Sequence, residues 1–218
     1  MLHTSLSLDY VLKPSSLKEN MPLLIMLHGY GSDENDLFSF AAELPEKLLI
    51  ISVRAPYKMQ PFGNAWYAIN FDAEKGKWND NVQAKQSVEL IAKFINEVTS
   101  EYKVDKKNVT LLGFSQGSIL SYAVALTYPE KVKNIVALSG YVNHDILPEN
   151  LKEQDYSNLD FYCSHGSVDQ VIPPDWARQT QPFLNTLNIK NTYSEFPVGH
   201  GVAPQNFYEF KEWLNKRI

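Results

Sequence analysis

Residues 113–117, Gly-Phe-Ser-Gln-Gly, are the first place where this sequence offers chemistry. They fit G-x-S-x-G, in which the serine occupies a sharp strand-to-helix turn that closes only if its neighbours are small. A serine hydroxyl is a poor nucleophile near neutral pH. Ser115 therefore needs a base within hydrogen-bond reach and a third group that orients the base. Of five histidines, His200 is the one that follows the pentapeptide on a loop after a late strand, in Pro197-Val198-Gly199-His200-Gly201. Its flanking glycines allow a tight loop that can aim the imidazole at another strand's end. Asp169, in His165-Gly166-Ser167-Val168-Asp169, follows a different apolar run. Serine, acid, histidine is the chain order this type of nucleophile turn uses. Asp160 lies inside a strand and Asp175 opens a helix, so edge exposure and capping account for them. His165 is a rival base, but it precedes Asp169, and hydrogen bonding to loop backbone is its expected role. An oxyanion needs two fixed backbone N–H groups, expected from Gln116, just after the nucleophile, and from Tyr30 in the first strand-to-helix loop.

These residues need elements to hold them. Residues 108–112 are apolar and β-branched, as a buried parallel strand should be, and Ile119, Leu120, Tyr122, Ala123 and Leu126 follow at helical spacing. Residues 23–27 form a short apolar run bounded by Pro22 and Gly29, predicting a central strand. Residues 4–12 alternate and predict a half-exposed edge strand. Further strands are expected at 48–53, 134–139, 159–164 and 190–196, with helices at 175–188 and 204–217. Asp80 opens a long helix in a capping-box-like arrangement with Gln83. This alternation predicts a mainly parallel sheet with helices on both faces, and in such sheets sites gather at the carboxyl ends of the strands. The acidic residues 32–36 read as a solvated helix start. Between 57 and 79 lies a long loop carrying Tyr57, Phe62, Trp66, Tyr67, Phe71 and Trp78. Its rings either bind a ligand or pin the loop to the body.

The bulk numbers exclude several functions. A length of 218 residues fits a single domain spanning 1–218. Net charge is -5 and basic residues form no stripe, so no nucleic-acid partner is expected. The one cysteine, Cys163, can make no internal disulfide, and its apolar surroundings point to a small buried hydrophobe. The run Gly29-x-Gly31 fails as a dinucleotide fingerprint because Glu34 stands where the third glycine belongs. With no apolar run near the roughly 20 residues a span needs and no basic-then-apolar start, stable membrane insertion is not expected and a cytoplasmic location is.

Leu27-His28-Gly29-Tyr30-Gly31, the pentapeptide, His165-Gly166 with Asp169 and Pro173, and Gly199-His200 together resemble the phospholipase/carboxylesterase family of α/β-hydrolases, which includes acyl-protein thioesterases. The match runs in order over nearly the whole chain. It implies an α/β-hydrolase fold without a separate lid domain. It also implies a serine hydrolase of carboxylic esters (carboxylesterase, lysophospholipase or acyl thioesterase), working through a Ser115-His200-Asp169 triad and an acyl-enzyme, with no cofactor or metal. The partner is a small ester or thioester. Tyr30, Ser32, Ser118, Ala68 and Gly201 depart from the family's usual residues, and all fall around the acyl and leaving-group surfaces. A shallow site bordered by Trp66 and Tyr67 is expected. The rival class is a non-catalytic small-molecule-binding module on the same fold.

Overall fold

The computed structural model describes residues 1–72 and 76–218. In chain order the strands are β1 (Tyr10–Lys13), β2 (Met21–Leu27), β3 (Leu49–Val53), β4 (Tyr57–Lys58), β5 (Asn64–Ala65), β6 (Ile69–Asp72), β7 (Gly76–Asn79), β8 (Val104–Phe114), β9 (Asn134–Leu138), β10 (Asp160–Gly166) and β11 (Lys190–Phe196). The α-helices are α1 (Asn81–Glu101), α2 (Gln116–Thr127), α3 (Pro174–Arg178), α4 (Thr180–Thr186) and α5 (Pro204–Asn215), and Leu37–Glu43 forms a 3-10 helix. Seven strands make one sheet in the order β1-β3-β2-β8-β9-β10-β11. Only the β1–β3 pair is antiparallel. This is the mainly parallel sheet with helices on both faces that the alternating pattern predicts.

Because side chains alternate across a strand, each buried strand feeds two cores. Leu23, Ile25, Leu27, Leu111 and Ile135 pack with Ile91 and Phe94 of α1 and Leu120 and Tyr122 of α2. On the other face Leu24, Met26, Leu112, Val136 and Tyr162 pack with Phe210, Trp213 and Leu214 of α5 and with Leu37 and Ala41 of the 3-10 helix. The wholly apolar β2 and the centre of β8 are thereby covered on both sides.

Three boundaries differ from the sequence reading. Residues 4–9 are not strand: Tyr10 already pairs with Val53, the last residue of β3, so the chain before it has no strand left to join. The helix expected over 175–188 is split into α3 and α4. Pro182 lacks the N–H that would bond back to Arg178, and its ring crowds that carbonyl. Within 57–79 the expected loop contains the two small hairpins β4–β5 and β6–β7.

The capping at α1 also differs. Asp80 caps it by accepting from the Val82 and Gln83 N–H groups at 3.1 and 3.0 Å. Gln83 does not return to Asp80; its side-chain oxygen accepts from the Ala68 N–H at 2.8 Å, tying the hairpin region to the helix.

The acidic stretch 32–36 needs a correction as well. Glu34 is buried, and Arg54, at the end of β3, donates to both its oxygens at 2.6 Å. The Arg54 hydrogen bonds hold the Glu34 carboxyl below the usual glutamate range, outweighing the upward push of burial. Glu34→Gln leaves the guanidinium facing a neutral amide and should cost on the order of 2 kcal/mol, the half-exposed arginine moderating the loss. A depressed carboxyl contributes stability above its unfolded value and loses it as pH falls through the folded one. The gap between wild type and variant in urea unfolding should therefore be full at neutral pH and shrink on acidification below the unfolded value of 4.5. A gap independent of pH would show that the ion pair is not its source.

Candidate active site

Ser115 sits at the junction of β8 and α2, in the middle of the sheet, with φ 54° and ψ −117°. A positive φ in a residue with a Cβ is strained backbone, and here packing enforces it. The Ser115 N–H donates to the Leu138 carbonyl of neighbouring β9 at 3.0 Å. A Cβ on Gly113 would stand 2.3 Å from the Gly117 carbonyl oxygen, and one on Gly117 would stand 1.9 Å from that of Leu27. Both flanking glycines are thus required by close backbone approach, as the turn predicts.

His200 arrives from the far edge. It follows β11, three strands from β8, a span of roughly 14 Å at ordinary strand spacing. The loop after β11 therefore folds back across the sheet's carboxyl end. It is held there by Ser167 N–H to Phe196 O at 2.7 Å and Ser139 Oγ to Gly201 O at 3.4 Å. The close approach falls at Gly166, where a Cβ would meet the Gly199 carbonyl oxygen at 2.1 Å. Gly199 and Gly201 themselves have open space around an added Cβ and no left-handed backbone. The glycine this loop depends on is therefore the one it lies upon, not the pair that flanks the histidine. The Phe114 ring packs on the imidazole with centroids 5.0 Å apart.

So placed, His200 Nε2 lies 3.0 Å from Ser115 Oγ and Nδ1 lies 2.7 Å from Asp169 Oδ2. The other Asp169 oxygen accepts from the Val171 and Ile172 N–H groups at 2.8 and 3.0 Å. Burial alone would push this carboxyl up; the bonds from His200, Ile172 and Val171 outweigh it and hold Asp169 below the usual aspartate range. Asp169 is thus an anion whose orientation is fixed. With Nδ1 donating to it, the His200 tautomer leaves Nε2 free to accept from the serine hydroxyl. His165, buried on β10, has Nε2 at 2.9 Å from the Ile172 carbonyl and 3.3 Å from Asp169 Oδ2. It bonds loop backbone as expected and stands behind the aspartate.

The first loop is braced separately. His28 is fully buried, with Nδ1–H donating to Gly29 O at 2.7 Å and Nε2 accepting from Ala55 N–H at 3.0 Å. Burial pushes its pKa down, which keeps the ring neutral, as that pair of bonds requires. Tyr30 follows it and is exposed at the site. Among the described residues, neither the Tyr30 nor the Gln116 backbone N–H donates to another group. Both residues line the pocket that contains Ser115.

That pocket has a volume of about 610 Å³ and takes in Tyr67, Ile69, Ile119, Val171, Trp176 and His200. Tyr67 reaches it from the 57–79 stretch. Trp66 does not: it is fully buried, with its indole N–H donating to the His28 carbonyl at 2.9 Å. The expectation that Trp66 borders the site is corrected; it pins the stretch to the end of β2. Gln116 completes this attachment with its side chain, accepting from Trp66 N–H at 3.0 Å and donating to Tyr67 O at 2.8 Å. The sequence reading missed that clamp, and also Trp176 and Tyr141, which form one wall as an edge-to-face pair 5.1 Å apart. Tyr141 had a signal in the sequence, since it follows a buried strand and Gly140; Trp176, inside a short helix, had none.

Among the described residues no helix is long and apolar enough to cross a membrane. The chain is 27% identical over 213 residues to acyl-protein thioesterase 1 of Candida albicans, covering 91% of each. To the protein of the same name from Yarrowia lipolytica it is 29% identical over 217 residues, covering 89% of this chain and 91% of that one. Among solved structures, a carboxylesterase from Mesorhizobium loti superposes with a TM-score of 0.83 at 20% identity, covering 99% of this chain and 98% of that one, a likeness of fold. The sequence profile described as Phospholipase/Carboxylesterase matches residues 11–218, and the chain belongs to that family.

Proposed function

We propose that the protein is a serine hydrolase of carboxylic esters and thioesters, acting through an acyl-enzyme on Ser115. The reading rests chiefly on the unbroken line from Asp169 through His200 to Ser115, with contacts of 2.7 and 3.0 Å, on a serine held in a strained turn. In this mechanism His200 Nε2 takes the hydroxyl proton as Ser115 Oγ attacks the acyl carbon, and the Asp169 anion stabilises the imidazolium. The Tyr30 and Gln116 N–H groups, with no competing acceptor among the described residues, stabilise the oxyanion. His200 then gives the proton to the departing alcohol or thiol, and a water activated the same way releases the acid. The pocket's apolar side, with Ile69, Ile119 and Val171, suits the acyl group.

A fluorophosphonate probe tests the reading against a non-catalytic binding module. It should label Ser115 stoichiometrically, and Ser115→Ala should abolish both labelling and p-nitrophenyl ester hydrolysis. An unlabelled Ser115 would leave the binding module as the better account. The pH profile carries a second test. Asp169 is held below its usual range, so it stays ionised through mild acidification and adds no limb of its own there. Activity should therefore fall on acidification along a single-proton limb. Full activity in acid would remove His200 as the base.

A further inference from the structure

A second pocket of about 560 Å³ lies beside the first, sharing Trp78, Asn79, Tyr141 and Trp176 with it, so the Tyr141–Trp176 pair is a partition rather than an outer wall. Beyond that partition the chemistry changes. The lining there adds Asn81, Asn143, Asp145, His144 and Gln179, and among the described residues that form it there is no lysine or arginine. The amides are chained into fixed orientations: Asn79 Nδ2 donates to Tyr141 Oη at 3.1 Å, Asn143 Nδ2 to Asn81 Oδ1 at 3.3 Å, and Asn81 Nδ2 to Asp145 Oδ2 at 3.2 Å. Asn143 Oδ1 also accepts from the Asp145 N–H at 3.1 Å. Two indoles flank this array with much of their surface free, Trp78 at 44% and Trp176 at 50% exposure.

Each property narrows the ligand. An alkyl chain in this pocket would strip water from amides and return no hydrogen bonds. A phosphate or carboxylate would meet no cation among the described residues and would face Asp145. What fits is a neutral ring with apolar C–H faces for the indoles and hydroxyls around its edge. A hydroxyl both donates and accepts, as a primary amide does. We infer that this polar pocket binds a sugar ring, and that the substrates include acylated carbohydrates, the acyl group lying on the Ser115 side of the partition and the sugar beyond it. The inference rests on the hydrolase reading above. Ser115 Oγ would bond to the acyl carbon, the ester C–O bond would break, and His200 would pass its proton to the sugar oxygen. Water would then release the carboxylate and restore the serine. Sugar contacts remote from the reacting bond would serve to orient it.

The first experiment does not depend on turnover. Methyl glucoside, galactoside and mannoside are titrated into Ser115→Ala protein by saturation-transfer NMR. At least one should bind saturably and lose binding when Gln179→Leu is added. No saturable binding by any of the three, or binding indifferent to Gln179→Leu, overturns the inference. The second compares kcat/KM for an acetylated methyl glucoside with that for ethyl acetate in wild type and in Gln179→Leu. The wild-type preference for the sugar ester should fall by about tenfold or more in the variant, as expected when a hydroxyl loses its partner. Equal preference in the two proteins counts against the pocket as the sugar site. If Ser115 is unlabelled by fluorophosphonate but glycosides still bind, the hydrolase reading fails and the sugar site stands. If Ser115 is labelled and glycosides do not bind, only the sugar site fails.

Discussion

Asp169→Asn is expected to lower turnover about ten-thousandfold while the protein remains folded. The size follows from how the carboxylate is held. One oxygen accepts from the Val171 and Ile172 N–H groups, and the other from His200 Nδ1. An asparagine at this position must keep its carbonyl oxygen toward the two backbone N–H groups, because the reverse orientation would set an NH2 against two buried donors. The amide NH2 is thereby forced to face His200. It can only donate, so Nδ1 must become an acceptor and the imidazole proton moves to Nε2, where it points at Ser115. A histidine in that tautomer cannot take the serine proton. His165 cannot substitute, since it lies behind Asp169 with Nε2 engaged by the Ile172 carbonyl at 2.9 Å. The check is kcat on a p-nitrophenyl ester, read beside far-UV circular dichroism and a urea titration. Turnover near wild type in a folded Asp169→Asn protein would remove Asp169 from the mechanism.

The meeting of Ser115, Asp169 and His200 was legible in the sequence because each obeys a local rule that does not depend on distant packing. Ser115 and Asp169 follow apolar runs recognisable as strands, His200 follows the more polar strand 190–196, and a parallel sheet gathers its carboxyl ends at one edge. Glu34 was not legible, because the arginine that pairs with it lies 20 residues away, just past the end of β3. Trp66 was misread for a related reason. An aromatic in a stretch without periodicity has no pattern that separates a ring facing solvent from one facing inward. Its partner, the His28 carbonyl, lies 38 residues away. The second pocket depends on three separate segments meeting, those around Asn79, Tyr141 and Trp176, and no spacing along the chain encodes that meeting. Strand ends were therefore readable where a partner strand was also present. The alternation over 4–12 predicted more strand than β3 could pair.

The glycine after Ser115 gives the sharpest contrast between local rule and packing. Gly117→Ala should abolish cooperative folding, a loss above about 4 kcal/mol. The new Cβ would stand 1.9 Å from the Leu27 carbonyl oxygen, 2.5 Å from its carbon and 2.8 Å from the His28 carbonyl oxygen. All three atoms are backbone, so no rotamer change relieves the clash. They also belong to the end of β2, which is paired on both sides, to β3 and β8, and carries the turn to Tyr30. Moving β2 away would break its ladder, and moving α2 away would pull Ser115 from the turn that His200 reaches. Gly199→Ala provides the control, since an added Cβ there meets nothing within 4 Å. In urea titrations the Gly199→Ala protein should unfold within about 1 kcal/mol of wild type, as expected of a substitution that touches nothing. The Gly117→Ala protein should show no native baseline, or accumulate as insoluble chain. A Gly117→Ala protein as stable as the control would mean that β2 and α2 can separate at the nucleophile turn. Ser115 would then owe its position to His200 and Leu138 rather than to the close contact beneath it.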